Sequence, residues 1–198
     1  MQTALGGTDK IAGVRDLDWT VNAVTFDHNG KRIGNVTKRT RWIRPNYLRL
    51  DQVGPGDTYV LYFDGKSGWE ILPDKPGVRK LVGSELDFAR RYLWGFRLNV
   101  WVADRMGNYR ISSPSTGLIR FTRSDLSFDL RLNPRTNLPA DVAAWTEIRS
   151  VRFPARIVNS HPNGGSADEN TVKLLFNSGL DSGALAVVPR DMKPVLGN

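Results

Sequence analysis

YVLYFDGKSGWEILPD, residues 59–74, contains two apolar runs separated by a short loop that includes glycine. The first run alternates at Tyr59, Leu61 and Phe63, and the second begins at Trp69. Successive side chains of a strand point to opposite faces of a sheet, so alternation on both sides of a loop predicts two neighbouring strands. We interpret this stretch as a β-hairpin.

The tripeptide Gly65-Lys66-Ser67 in the same stretch resembles the end of a phosphate-binding loop. Such a loop needs a second glycine five positions before Gly65, so that backbone N–H groups can surround the phosphates. Val60 occupies that position. The sequence therefore argues against a nucleotide site and favours a turn.

Alternation with a period of two recurs along most of the chain. It predicts strands at residues 17–28, 32–43, 47–53, 59–64, 69–73, 78–82, 108–113, 117–123, 126–132, 142–148, 151–158 and 170–177. Asn29-Gly30 and the GPGD sequence at 54–57 predict turns between strands. Short helical segments are expected at residues 8–14 and 180–189.

The pattern changes to a helical period near the middle of the chain. Residues 85–96 place apolar side chains on one side of a helix and Arg90 with Arg91 on the other. Ser84 followed by Asp87 predicts an N-terminal cap. Residues 98–103 fit either a continued helix or a strand.

These elements predict a mainly β protein of the α+β class. The length of 198 residues suits a single domain, residues 1–198. An apolar helix inserted among antiparallel strands is expected to cover the concave face of a curved sheet. Such a helix either packs into an ordinary core or closes a ligand cavity, and both readings stay open at this point.

The net charge of +8 and the pI of about 10.0 indicate attraction to anionic partners. Four arginines interleave with aromatic residues in one region, which is also a feature of nucleic-acid surfaces. Alternation along a strand explains this pattern without a function, because the aromatic rings face the core and the arginines face water. We therefore predict no nucleic-acid partner.

The residue types that carry enzyme chemistry show no organised pattern. Cysteine is absent, and the two histidines, His28 and His161, form no metal-binding pair. A serine nucleophile in a G-x-S-x-G motif is also absent. We predict no catalytic residue, no metal and no cofactor, and therefore not an enzyme.

Membrane and export signals are likewise weak. No apolar run approaches the roughly 18 residues that span a bilayer. Residues 1–16 lack the apolar core of a signal peptide, so an exported protein would be represented by its processed form.

Five stretches together resemble the outer-membrane lipoprotein-sorting proteins, the LolA/LolB-like group. They occur in the matching order over nearly the whole chain. The stretches are ALGGTDKIAGVRDL (4–17), YFDGKSGWEILPD (62–74), NPRTNLPADV (133–142), VRFPARIV (151–158) and NSGLDSGALAVVP (177–189).

This resemblance implies an unclosed antiparallel β-barrel with a helical lid over its concave face, exported to the periplasm. It also implies a hydrophobic hollow for lipid or lipoprotein acyl chains, and no catalytic residues. Some members hold the lid with an arginine, for which Arg39, Arg41 and Arg44 are all candidates here. The ligand would be a lipid or lipoprotein acyl chain, and envelope proteins would load and release it. The protein would contact a membrane surface without spanning the membrane, and it would be a monomer.

We predict that apolar side chains of strands and helix line the hollow. The candidates are Trp19, Val21, Phe63, Trp69, Leu86, Ala89, Leu93 and Phe96. The alternative is a non-enzymatic structural or interaction module of the envelope, in which the protein's own side chains fill the hollow.

Overall fold

The computed structural model of the chain describes residues 1–54, 58–160 and 164–191. Most of the predicted 54–57 turn, and His161, lie outside the described residues. Within these ranges the strands are β1 Asp16–Phe26, β2 Arg32–Ile43, β3 Tyr47–Val53, β4 Thr58–Phe63, β5 Gly68–Leu72, β6 Lys75–Lys80, β7 Arg110–Ser115, β8 Leu118–Arg123, β9 Leu126–Arg131, β10 Val142–Ile148, β11 Val151–Ser160 and β12 Ser166–Phe176. The helices are α1 Thr8–Ala12, α2 Gly83–Trp94, α3 Arg97–Val100 and α4 Ser182–Ala186, with 3-10 turns at Thr3–Leu5 and Ala103–Arg105.

Nine strands form one antiparallel sheet in the order β10-β11-β12-β1-β2-β3-β4-β5-β6. The first strand, β1, lies in the interior of the sheet, and the chain proceeds from it through successive hairpins to the β6 edge. It then passes through α2, α3 and a separate three-stranded sheet of β7, β8 and β9 before it reaches the other edge at β10. Because β10 and β6 end the sheet and do not pair with each other within the described residues, the sheet is an unclosed barrel, as predicted.

The hairpin predicted at residues 59–74 is confirmed, since β4 and β5 pair antiparallel. The turn is held by Asp64, whose carboxylate accepts hydrogen bonds from the backbone N–H groups of Lys66 at 2.8 Å and Ser67 at 2.7 Å. Gly65 has φ of +94°, a conformation that glycine adopts without strain. The Gly-Lys-Ser tripeptide is therefore a turn.

The apolar residues of one sheet face, here called the inner face, form the core together with the helices. A row across four strands joins Leu17, Trp42, Leu48 and Phe63, all fully buried. From the helical side, Ala89 and Leu93 of α2 pack into the same cluster. The predicted helix thus covers the inner face.

The predicted cap of α2 is wrong. The helix begins at Gly83 with Val82 as its N-cap residue, and no side chain caps it. The Ser84 hydroxyl instead approaches the Glu85 carboxylate at 3.4 Å. Gly95 ends the helix, and the residues that fitted either helix or strand are helical, in α3 and the following 3-10 turn.

The opposite face, here called the outer face, carries buried charges under α4. Arg49 of β3 donates from Nε and Nη2 to the two carboxylate oxygens of Asp51, and from Nη1 to the carbonyl oxygen of Leu185 in α4 at 3.1 Å. Asp18 of β1 pairs with Arg39 of β2 at 2.8 Å. Parts of the outer face are therefore buried as well, and the charged groups there are paired.

Candidate functional site

A cavity of about 700 Å³ lies between the inner face of the sheet, the helices α2 and α3, and the three-stranded sheet. Pockets that bind small molecules commonly measure roughly 300–1,000 Å³, so this volume accommodates a ligand. The apolar part of its wall comes from all three layers. It consists of Trp19, Val21, Phe88, Tyr92, Phe96, Val100, Trp101, Phe121, Phe128, Leu130 and Ile157.

Three of the eight predicted lining residues reach this cavity. Trp19 and Val21 project from β1, and Phe96 lies at the junction of α2 and α3. Trp19 also donates a hydrogen bond of 2.9 Å from its indole N–H to the Thr171 hydroxyl, which fixes the ring against the sheet. The Phe96 ring packs 5.6 Å from the Trp42 ring.

Four others belong to packed layers rather than to the cavity wall. Phe63, Ala89 and Leu93 are completely buried in the core cluster, and Leu86 is half-buried against it. They lie on the inner side of the sheet, as expected, but do not border this cavity. Tight packing between α2 and the sheet fills the space that they were expected to border.

Trp69 lies on the outer face of the sheet, away from this cavity. Phe63 pairs with Gly68, so Trp69 pairs with Tyr62, whose side chain points to the outer face. The Trp69 ring accordingly lies under the Arg49 guanidinium, 5.5 Å from ring centre to carbon. This tryptophan belongs to the cluster beneath α4.

Residues of the three-stranded sheet were missed as lining. Phe121 and Phe128 pair directly across β8 and β9 and face the cavity. An added Cβ at Gly95 would stand 2.7 Å from the Phe128 ring, so glycine permits this close approach of helix and sheet. The alternation of apolar and polar residues in these strands indicated that one face is buried, but it did not indicate which layer of the protein covers that face.

Polar groups also border the cavity. Lys38 of β2 and Glu169 of β12 form an ion pair of 2.6 Å, and Arg97 of α3 pairs with Asp141 at 2.7 Å. Burial raises the pKa of Tyr92, so that its hydroxyl group is neutral at physiological pH. The wall thus combines apolar side chains with these two ion pairs.

Arg44 joins the helices to the sheet near this cavity. Its guanidinium group donates to the carbonyl oxygens of Val14, Ile11 and Leu98 at 3.2, 3.3 and 3.2 Å. It also lies over the Trp42 ring at 5.0 Å. Burial lowers the pKa of Arg44 to about 10, so the group remains charged at neutral pH. Of the three candidate arginines, Arg44 thus contacts helices α1 and α3.

Among the residues that the structure describes, no group of three or more His, Cys, Asp or Glu side chains is arranged to hold a metal ion. Over the same residues, no helix combines the length and apolar character that crossing a membrane requires.

No family model matches the sequence. No curated protein matches it significantly either. Solved structures, in contrast, do match the chain. A LolA superfamily protein from Nitrosomonas europaea superimposes with a TM-score of 0.58 at 13% identity, covering 94% of this chain and 97% of that one. The chain has the LolA-like fold.

Two further structures agree with this assignment of the fold. A domain from Vibrio parahaemolyticus, whose name assigns it to the outer membrane lipoprotein-sorting proteins, has a TM-score of 0.58 at 13% identity, with 90% of this chain and 92% of that chain covered. A DUF1329 family protein from Desulfovibrio piger has a TM-score of 0.52 at 14% identity, again with 90% and 92% covered. The resemblance found in the sequence is thus confirmed at the level of the LolA-like fold.

Proposed function

We propose that the protein is a non-enzymatic carrier or binding protein for lipid or lipoprotein acyl chains. The observation that carries this proposal is the cavity of about 700 Å³ with a mainly apolar wall between the sheet and the helices. Each methylene group that leaves water contributes about 0.8 kcal/mol, so an acyl chain in this cavity gains enough to compete with a micelle or membrane.

The LolA-like fold supports the same proposal, since a domain named for outer membrane lipoprotein sorting shares it. The protein then acts in the periplasm as a monomeric single domain of residues 1–198. Envelope proteins load and unload it, because a ligand held by burial alone leaves slowly. Arg44 holds α1 and α3 against the sheet end and thereby limits opening of the cavity.

Two measurements on one preparation test this proposal. Mass spectrometry of an organic extract identifies lipid that copurifies with the protein, and titration with a fluorescent fatty acid measures uptake. Val21→Trp fills the cavity from β1 and is expected to reduce uptake at least tenfold. Val158→Trp, on an exposed position of β11, is the matched control and should bind as the parent does.

The alternative function is a structural or interaction module of the envelope with a self-filled core. Reproducible absence of lipid from the extract, together with no uptake by the parent, would establish that alternative and overturn the carrier proposal. Equal uptake by the parent and by folded Val21→Trp would place the ligand outside this cavity.

A further inference from the structure

The carboxylates that border the cavity are already neutralised by bases. Glu169 pairs with Lys38 at 2.6 Å, Asp141 pairs with Arg97 at 2.7 Å, and Asp129 pairs with Arg120 at 2.7 Å. The positive charge of each of these bases is therefore compensated by a carboxylate within the protein. A ligand group near them meets a neutral pair rather than a free ion.

Arg91 of α2 is different. It borders the cavity and is exposed, and among the described residues it has no acidic partner. Its neighbour Arg90 pairs with Asp87 at 3.1 Å on the outer side of the helix and does not border the cavity. Among the described lining residues, Arg91 is consequently a positive charge without a carboxylate partner, and it lies where the wall is exposed to solvent.

Apolar side chains continue from Arg91 into the cavity. Phe88 and Tyr92 of the same helix border the opening, with ring centres 6.2 Å apart, although half of the Phe88 side chain is exposed. Beyond them, the Tyr92 ring lies 6.5 Å from the Phe96 ring deeper in the wall. A chain that lies along these rings places its polar end beside the Arg91 guanidinium.

We propose that the cavity prefers amphiphiles with an anionic head group, a carboxylate or a phosphate, which Arg91 binds. This inference rests on the proposed lipid-binding function and specifies its ligand class. The planar guanidinium group offers parallel N–H donors that match both anions, and such charge-assisted hydrogen bonds are stronger than neutral ones. Exposure of Arg91 means that added salt weakens the preference.

A displacement titration with matched head groups tests the inference. The neutral fluorophore N-phenyl-1-naphthylamine is bound first and then displaced by dodecanoate, dodecyl phosphate or dodecanol, all below their micellar concentrations. We expect the two anions to bind roughly tenfold more tightly than the alcohol. Arg91→Gln should lower their affinity to that of the alcohol, and Arg90→Gln should keep the preference.

The outcomes separate this inference from the function on which it rests. If the alcohol binds the parent as tightly as both anions, or if Arg91→Gln keeps the preference, the anionic head group is overturned while lipid binding stands. If neither the fluorophore nor any amphiphile binds, the proposed function itself fails, and the inference with it. A preference for phosphate over carboxylate, or the reverse, supports the inference and identifies the head group.

Discussion

The guanidinium group of Arg44 donates a hydrogen bond of 3.2 Å to the carbonyl oxygen of Leu98. Leu98 lies in α3, whereas Arg44 follows the end of β2, so this contact ties a helix of the cavity wall to the sheet. Two further bonds from the same group reach Val14 and Ile11 at the end of α1. A single charged side chain therefore satisfies carbonyl groups in two segments that pack over the sheet.

Arg44→Met is expected to lower the free energy of unfolding by about 2–4 kcal/mol, because several part-buried carbonyl groups lose their donor. Arg44→Lys keeps the charge but not the forked geometry, so we expect an intermediate loss. Urea unfolding measures both. Arg152→Met, which removes an exposed arginine, is the control and should change stability by less than about 0.5 kcal/mol. Parent-like stability of Arg44→Met would contradict this role.

Substitutions at two positions of α2 distinguish a residue that packs in the core, Leu93, from one that contacts the ligand, Phe88. Leu93 is completely buried in the core, so Leu93→Ala should cost about 2–5 kcal/mol in unfolding free energy and leave lipid affinity unchanged below its melting temperature. Phe88 is half-exposed at the cavity opening, so Phe88→Ala should weaken lipid binding with little loss of stability. Thermal melts and fatty-acid titrations on each variant give the two quantities. The reverse pattern would place Leu93 at the ligand.

Local patterns in the sequence were sufficient to predict most of the strands and helices. Strands β2 and β3 have the bounds that alternation predicted, because turn residues limit β2 at Asn29-Gly30 and apolar residues alternate with polar ones in β3. The spacing of Ala89 and Leu93 likewise predicted which side of α2 is buried. These inferences depend only on contacts that are close in sequence.

The face of β5 could not be predicted in the same way. Both faces of the β4–β5 pair are buried, since Val60 and Ile71 on the outer face are as buried as Leu61 and Glu70 on the inner face. Alternation identifies a face only when the other face meets water. The outer face is buried by α4, a helix more than a hundred residues away in the sequence, whose packing site no local pattern indicates.

The Asp64 turn gives a prediction about pH. Burial acts to raise the pKa of Asp64, but hydrogen bonds from the backbone N–H groups of Ser67 and Lys66 outweigh it and lower the pKa below its usual value. A lowered carboxyl pKa stabilises the fold above the unfolded pKa of about 3.9 and loses this effect as pH falls through the folded value. Asp64→Ala should therefore cost about 1 kcal/mol at pH near 7 and less in acid.

Lys66→Ala is the matched control for this turn. The Lys66 side chain is exposed, and only its backbone N–H contributes to the turn, so stability at neutral pH should remain within about 0.5 kcal/mol of the parent. Urea unfolding at several pH values compares the two variants. A cost of Asp64→Ala that stays constant down to strongly acidic pH would contradict the pKa argument. ATP affinity that is present in the parent and lost in Lys66→Ala would overturn the interpretation of the segment as a turn.

The last prediction concerns the ion pair of Lys38 and Glu169 at the cavity wall. The two groups are 2.6 Å apart, with 24% of the Lys38 side chain and 9% of the Glu169 side chain exposed. Glu169→Gln removes the negative charge but keeps a hydrogen-bond acceptor of similar shape, which leaves Lys38 as an additional free cation. Affinity for an anionic amphiphile should then rise severalfold, and that for the neutral alcohol should not change.

Lys38→Gln is the opposite substitution of the same pair. It exposes the Glu169 carboxylate to the ligand, so it should weaken binding of the anion and again leave the alcohol unaffected. Each change should also cost about 1–3 kcal/mol of stability, because a part-buried charge loses its partner. The displacement titration with dodecanoate and dodecanol measures both variants in one format, and urea unfolding confirms that they are folded. If the two substitutions move anion affinity in the same direction, the head group does not bind within reach of this pair.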